Sequence, residues 1–283
     1  MTTKKTLIEN NVVLMKTWLF VPATKLALIA KAFVSGADAV IVDLEDTVAL
    51  EDKAQAREDL REYLSTVSAE NSRPVWLRIN KAGSAEFDKD IALCKELQNI
   101  EGIILAKAEH QSDIEKAHSA TDLPIIALVE SALGLYQLDS MAKASCLAAF
   151  SYGFLDLCND LGVQVGTTAA DIIANQIRYQ LILISKVHKL AAPIDTIYTD
   201  FNDSKGLAQR AMLWSQMGLS GMLCIHPKQV AVVAEALKPT NSEIEFAKQV
   251  IAEYECSGEA VFKVEGEMVD APVIKRCYRV LGR

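Results

Sequence analysis

The chain has no cysteine pair at CxxC spacing and no run of lysine and arginine. Its longest apolar stretches fall far short of the roughly 20 residues that cross a bilayer. The six cysteines, Cys94, Cys146, Cys158, Cys224, Cys256 and Cys277, are scattered, which argues against a zinc site or disulfide framework and predicts reduced thiols. His110, His118, His188 and His226 stand apart without HExxH spacing, and neither a Walker A string nor a GxGxxG turn occurs. The formal net charge is −8, so nucleic acid offers no counterion-release gain and is not an expected partner. There is no low-complexity tract, Pro/Ser-rich linker or internal repeat. The mixed polar start predicts no secretory signal, and the expectation is a soluble, cytoplasmic protein without membrane association.

What is present is a regular alternation. Eight short runs rich in β-branched and aliphatic residues cover 18–21, 38–44, 75–80, 102–107, 124–130, 147–153, 194–198 and 222–226. Most are continuously apolar, as strands buried on both faces must be. Helical spacing fills the intervals, at 25–35, 51–64, 87–97, 113–118, 135–144, 169–190, 205–217 and 228–237. Eight strand–helix units in 283 residues predict a (β/α)8 TIM barrel over 1–237. The remainder, 238–283, is too small for a domain and predicts a C-terminal helical extension, a lid or subunit-exchanged arm. It contains a helix at 241–254 with Ser242 as N-cap and Glu245 in the first turn, an extended piece at 260–264 and a helix at 273–281.

The charges sit at the ends of the apolar runs. The second run ends in Asp43, Glu45 and Asp46, the third in Arg78 and Asn80, the fourth in Lys107 and the fifth in Glu130. The sixth leads to Gly153 and Asp156, and the eighth ends in His226. A barrel builds its active site at the carboxyl ends of its strands, so these groups share one rim. Glu130 and Asp156 supply hard oxygen ligands suited to Mg2+, with Mn2+ as the alternative, and Glu45 and Asp46 can hold the waters of that ion. Arg78 offers a planar fork for a substrate carboxylate or developing oxyanion. Gly153 leaves room for a ligand, and the amides of Phe154 and Leu155 can donate to it. A Schiff base on Lys107 is disfavoured, because acidic neighbours stabilise the ammonium form. His226, followed by Pro227, reads as a structural group rather than a ligand.

These residues resemble the citrate lyase β-subunit/malyl-CoA lyase family, within the HpcH/HpaI aldolase-like superfamily. The strings that carry the likeness are 18–22, 36–48 with Lys53 and Arg57, 77–80, 126–131, 153–157 with 160–162, 218–221 with 225–229, and 266–272. The resemblance implies a Mg2+-dependent carbon–carbon lyase. Its substrate would be a 3-hydroxyacyl-CoA thioester of the citramalyl-CoA or malyl-CoA type, cleaved to pyruvate or glyoxylate and acetyl-CoA. Glu130 and Asp156 would be the metal ligands and Arg78 would bind the oxo-acid. Asp270 would be the acid/base, reaching into a neighbouring subunit's site, which implies a homo-oligomer, a trimer or a multiple of it. Two positions depart from the pattern: Lys16-Thr17 stands where relatives often have Arg-Ser, and Met222 where they often have Lys. Lys16 and Lys25 are then the candidate contacts for a thioester's anionic groups. Two other readings are a citrate lyase β-subunit acting on an acyl-carrier-protein thioester in a complex, and a non-catalytic barrel that binds oxo-acids or serves as a scaffold.

Overall fold

The computed structural model describes residues 12, 14–67 and 73–282. Eight parallel strands, β1 (Thr17–Pro22), β2 (Ala39–Asp43), β3 (Val75–Ile79), β4 (Gly102–Leu105), β5 (Ile125–Val129), β6 (Leu147–Tyr152), β7 (Ile194–Asp195) and β8 (Gly221–Cys224), form a closed barrel in chain order. The closure is made by β1, which pairs with β2 through Trp18–Ala39 and with β8 through Trp18–Leu223. The runs are apolar on both faces because one face fills the barrel and the other meets the helices; apart from Phe20 and Pro22, every strand residue is buried.

The helices between strands are α1 (Ala27–Phe33), α2 (Lys53–Thr66), α3 (Phe87–Glu96), α4 (Gln111–Thr121), α5 (Ala132–Tyr136), α6 (Leu138–Met141), α7 (Phe154–Leu161), α8 (Thr168–Val187) and α9 (Ser204–Met217), and α10 (Pro227–Ala236) follows the last strand. None is long and apolar enough to cross a membrane. Two differ from the sequence expectation. The span 135–144 is divided into α5 and α6 because Gln137 leaves the helical region (φ −92°, ψ 7°). The helix α7 was not expected, although Phe154, Leu157, Cys158 and Leu161 carry the i, i+3, i+4, i+7 spacing that announces one.

Inside the barrel one apolar cluster joins Trp18, Trp76, Ile104, Ile126, Leu128 and Leu223, with Phe20 and Ile197 packed on it. The two indoles meet edge to face, ring centroids 5.5 Å apart. Gly102 has to be glycine, since a Cβ there would strike the Trp76 ring and the Pro124 carbonyl. A bulge in β6 lets Ile125 pair with Leu147 and Ile126 with Ala149, so Ala148 is the extra residue. Ala148 and Ala149 consequently both belong to the interior cluster, where strict alternation would admit one.

The chain divides into two compact units, Met1–Ala236 and Leu237–Arg283. The second comprises α11 (Asn241–Ser257), an antiparallel hairpin of β9 (Phe262–Val264) and β10 (Glu267–Val269), and α12 (Ala271–Val280). It has a core of its own, with Val250, Ile251, Phe262, Val264, Val269 and Ile274. The hairpin turns on Glu265 and Gly266, both at positive φ (52° and 88°), the pattern of a two-residue primed turn. The N-cap of α11 is Thr240, not Ser242: its side chain accepts from the Glu243 amide while Glu243 returns to the Thr240 backbone, a complete capping box two residues upstream of the expected one.

At the carboxyl ends of β6 and β7, Arg178 of α8 donates to Asp195 through Nε (2.8 Å) and Nη2 (3.1 Å), and Tyr152 Oη donates to the same carboxylate at 2.6 Å. Arg178 and Asp195 are both fully buried. Removing one partner from such a pair strands a charge in the interior, whereas replacing both by apolar groups does not. Arg178→Met is therefore expected to cost about 3–5 kcal/mol in urea unfolding, and the double variant Arg178→Met/Asp195→Leu to recover most of that. A double variant no more stable than the single would remove the ion pair as the cause.

Candidate active site

The site begins with Asp43, the last residue of β2, which lies opposite Arg78 in the β2–β3 register. Arg78 donates from Nε and Nη2 to the two Asp43 carboxylate oxygens, each at 2.7 Å. Asp43 also accepts from the Glu45 and Thr47 amides (2.9 and 3.1 Å) and the Thr47 hydroxyl (2.6 Å). Burial alone would raise the Asp43 pKa, but the bonds and charge of Arg78, with Thr47 and the Glu45 amide, hold it below the ordinary carboxylate value. The Arg78 guanidinium is held well above its ordinary pKa: burial opposes its charge, and Asp43, then Glu45 and Glu130, overcome that. Its remaining edge, Nη1, lies 3.2 Å from Glu45 and 3.6 Å from Asp46, and Phe20 stacks on it at 4.9 Å. The sequence predicts a whole fork facing substrate; in the structure its bidentate side is engaged by Asp43, and only the Nη1 edge is turned to the acidic groups.

The β2–α2 loop is pinned from behind. Lys53 Nζ donates to the carbonyls of Leu44 and Glu45, both at 2.7 Å. Arg57 bonds Glu86 and Asp90, and Asp90 accepts from the Asn80 amide and side chain. Across the barrel, Lys107 has left-handed backbone (φ 50°), which directs its amide to Glu130 Oε2 at 2.8 Å. Its ammonium meets Glu45 at 2.5 Å, Asp46 at 3.3 Å and Asp156 at 3.8 Å. Burial works against the ammonium, but Glu45, then Asp46 and Glu130, raise its pKa, which removes the neutral amine a Schiff base requires.

Glu130, following β5, is only 5% exposed. Asp156 comes from the first turn of α7, and Asp46 from the loop after β2. One carboxylate oxygen from each of these three residues lies within 4.8 Å of the other two. Asp46 thus stands in the same triangle as Glu130 and Asp156, where the sequence reading had placed it among outer groups with Glu45. Burial pushes the Glu130 pKa up to about 7; the pull of Arg78 is partly cancelled by the charge of Glu45. Glu45 too is raised, by burial first, against the pull of Arg78 and with Asp46 adding to it. Carboxylates crowded at this spacing are a fitting donor set for a hard divalent cation. Gly153 is required beside them, because a Cβ there would fall against Glu130 Oε1.

These groups line a cleft of about 270 Å3 at the carboxyl ends of the strands. Arg78, Asp46, Glu130 and Asp156 form its polar side, and Phe20, Leu128, Ile197, Leu223 and Ile225 its apolar side. Phe154 and Leu155 also line it, but the Phe154 amide donates to Thr196 Oγ1 at 3.2 Å and is not turned to a ligand. Leu155 stands at the cleft, in the first turn of α7. Lys16 does not: it precedes β1, and its amide donates to Asp38 at the amino ends of the strands, the rim opposite the cleft. Lys25 is on the correct rim, exposed in the turn after β1, and is not among the residues lining the cleft. His226 stacks on Phe201, centroids 5.0 Å apart, and its Nδ1 accepts from the Lys228 amide. Asp270, in the second unit, occupies the N-cap of α12 and accepts from the Val273 amide at 3.3 Å. Asp43, Thr47, Thr196 and Ile225 were assigned no role from sequence; for Asp43 the signal was an acid closing an apolar strand, directly before Glu45 and Asp46.

A carboxyl whose folded-state pKa lies above its unfolded value binds its proton more tightly in the fold. Its contribution is therefore present below the unfolded pKa and is lost as pH rises from about 4.5 through about 7 for Glu130. At pH 8 without metal, Glu130→Gln is expected to stabilise the protein by an amount on the order of 3 kcal/mol, and to do little at pH 4.5. Urea titrations in EDTA at the two pH values measure it; equal stabilities at pH 8 would mean that Glu130 ionises without strain.

Residues 16–227 match the model of the family described as HpcH/HpaI aldolase/citrate lyase. The chain is 32% identical over 289 residues to the citrate lyase subunit beta of Leuconostoc mesenteroides subsp. cremoris, with 96% of this chain and 94% of the relative covered. It is 30% identical to the (3S)-malyl-CoA thioesterase of Cereibacter sphaeroides, with 89% and 88% covered. A crystal structure of CitE from Mycobacterium tuberculosis in complex with magnesium, acetoacetate and coenzyme A matches with a TM-score of 0.83 at 30% identity, over 95% of this chain and 97% of that one. With its closed barrel and its acidic cleft at the carboxyl rim, the chain belongs to the HpcH/HpaI aldolase/citrate lyase family.

Proposed function

We propose that the protein is a magnesium-dependent carbon–carbon lyase that cleaves a 3-hydroxyacyl-CoA thioester to a 2-oxo acid and acetyl-CoA. The observation that carries this reading is the triangle of Asp46, Glu130 and Asp156 oxygens beside a single guanidinium edge. The magnesium in the related CitE complex supports the choice of cation, and its coenzyme A and the malyl-CoA relative support the thioester. Held by these carboxylates, the cation would polarise the substrate's hydroxyl and carboxylate oxygens and lower the hydroxyl pKa.

The chain's own groups do the rest. The Leu155 amide and the α7 N-terminus hold the substrate carboxylate. The Arg78 Nη1 edge faces the oxygen that becomes the carbonyl and stabilises the charge gathering there. As the hydroxyl proton departs to solvent, the O–H electron pair forms the carbonyl. The adjacent C–C bond breaks, and its pair passes to the thioester's α-carbon. Asp270, supplied by a neighbouring copy of the chain, gives that carbon its proton, and in the condensation direction it removes one. The site thereby requires an oligomer, which we take to be a trimer.

Mg2+ calorimetry on the wild type is expected to show one site per chain, lost in Asp156→Asn. Turnover is tested by offering the purified chain citramalyl-, malyl-, β-methylmalyl- and citryl-CoA and following oxo-acid and free CoA separately. Oxo-acid release by the isolated chain supports the lyase. Free CoA without oxo-acid would give a thioesterase, and activity only on addition of an acyl-carrier protein would give the citrate lyase subunit. Asp270→Asn separates charge from structure, because asparagine caps a helix as well as aspartate. It is expected to lower kcat by about 10²-fold or more with unchanged unfolding; undiminished turnover would remove Asp270 from the chemistry.

A further inference from the structure

The cleft is divided by polarity, and the division bears on which oxo-acid it accepts. Its inner end is the upper layer of the barrel's interior cluster: Leu128 and Leu223 belong to that cluster, and Phe20 and Ile197 pack on it. Ile225, after β8, continues this surface outward and is 39% exposed. A thioester carrier is bulky and has to leave through the open mouth. The inner end therefore receives the small end of the substrate, the substituent on the oxo-acid's carbonyl carbon.

The charges nearby leave nothing for a second anion at that end. Five carboxylates, Asp43, Glu45, Asp46, Glu130 and Asp156, face two side-chain cations, Arg78 and Lys107. A bound divalent cation leaves this group one charge short of neutral, before any substrate carboxylate enters. Arg78 is engaged on its bidentate side by Asp43. The Lys107 ammonium is held by Glu45 and Asp46, and Lys107 does not line the cleft. A carboxymethyl substituent would place its carboxylate among isoleucine and leucine side chains and the Thr196 hydroxyl, without a cation, and an unpaired buried charge is strongly disfavoured. A hydrogen substituent would leave apolar surface wet that a methyl group covers.

We infer that the apolar end formed by Ile197, Leu223 and Ile225 makes the enzyme selective for a monocarboxylic 2-oxo acid with a short alkyl substituent, pyruvate or 2-oxobutyrate, against oxaloacetate and glyoxylate. This rests on the lyase reading above and adds the class of acid and the residues that select it. It places the protein among enzymes whose substrate is a branched, methyl-bearing 3-hydroxyacyl thioester, formed by condensation of an acetyl thioester with such an acid.

The test is equilibrium binding to the Mg2+-loaded protein, by calorimetry and by the shift in unfolding temperature. Pyruvate, 2-oxobutyrate, glyoxylate and freshly prepared oxaloacetate, checked for decarboxylation by NMR, are the probes. Pyruvate is expected to bind about tenfold or more tightly than oxaloacetate and several-fold more tightly than glyoxylate. Ile225→Lys, at a half-exposed position where folding is not at stake, is expected to bring oxaloacetate to parity with pyruvate or beyond it. Leu223→Ala should move the preference toward 2-oxobutyrate. Oxaloacetate binding as tightly as pyruvate in the wild type overturns the selectivity while leaving the lyase reading in place. Binding of none of the four acids, with Mg2+ bound, overturns both. If Ile225→Lys and Ile197→Lys both fold and neither gains affinity for oxaloacetate, the apolar end is not the selector.

Discussion

Everything at the carboxyl rim depends on the paired charges of Asp43 and Arg78. The guanidinium is brought into the barrel mouth by β3 and is made tolerable there by two bonds to a carboxylate on the neighbouring strand. Once fixed, it supplies the positive field that lets Glu45, Asp46 and Glu130 crowd together. Lys107 complements it from β4, with an unusual backbone conformation that aims its amide at Glu130 and an ammonium that spans to Glu45. Remove that field and the acids repel; keep it, and they remain close enough to share one ion.

The crowding has a thermodynamic consequence. The cleft stores unfavourable ionisation at Glu130 and Glu45, and a left-handed residue at Lys107, all on one rim. Functional sites commonly hold such strain, and the rest of the fold has to offset it. Here the offset comes from the edge-to-face indoles of Trp18 and Trp76, the uninterrupted apolar strands, and the buried Arg178–Asp195–Tyr152 network at the carboxyl ends of β6 and β7. That network also steadies Tyr152, the residue before Gly153, and hence the turn into α7 that presents Asp156.

The chain's relatives include citrate lyase subunits and a malyl-CoA thioesterase, proteins named for different reactions. On the reading proposed above, relatives that differ in acid or in leaving group could share one carboxylate triangle, because the cation would act on the hydroxy-acid portion of the substrate. What separates them must lie elsewhere in the cleft. In this chain the inner, apolar end is where such a difference would be written.

The sequence by itself determined the architecture and the membership of the rim. Eight apolar runs alternating with helical spacing specify parallel strands buried on both faces, and polar groups closing those runs fall at one end of whatever barrel results. This periodicity is local, so it is legible without coordinates. Glu130 and Asp156 could be named for the same reason. Tertiary structure decided what each charge faces. That Asp43 occupies the Arg78 fork, that Asp46 joins Glu130 and Asp156 in one carboxylate triangle, that the Phe154 amide is taken by Thr196, and that Lys16 stands at the wrong end all follow from register across strands and from turns entering α7 and leaving β4. Those distances join residues tens of positions apart, and no spacing along one chain encodes them.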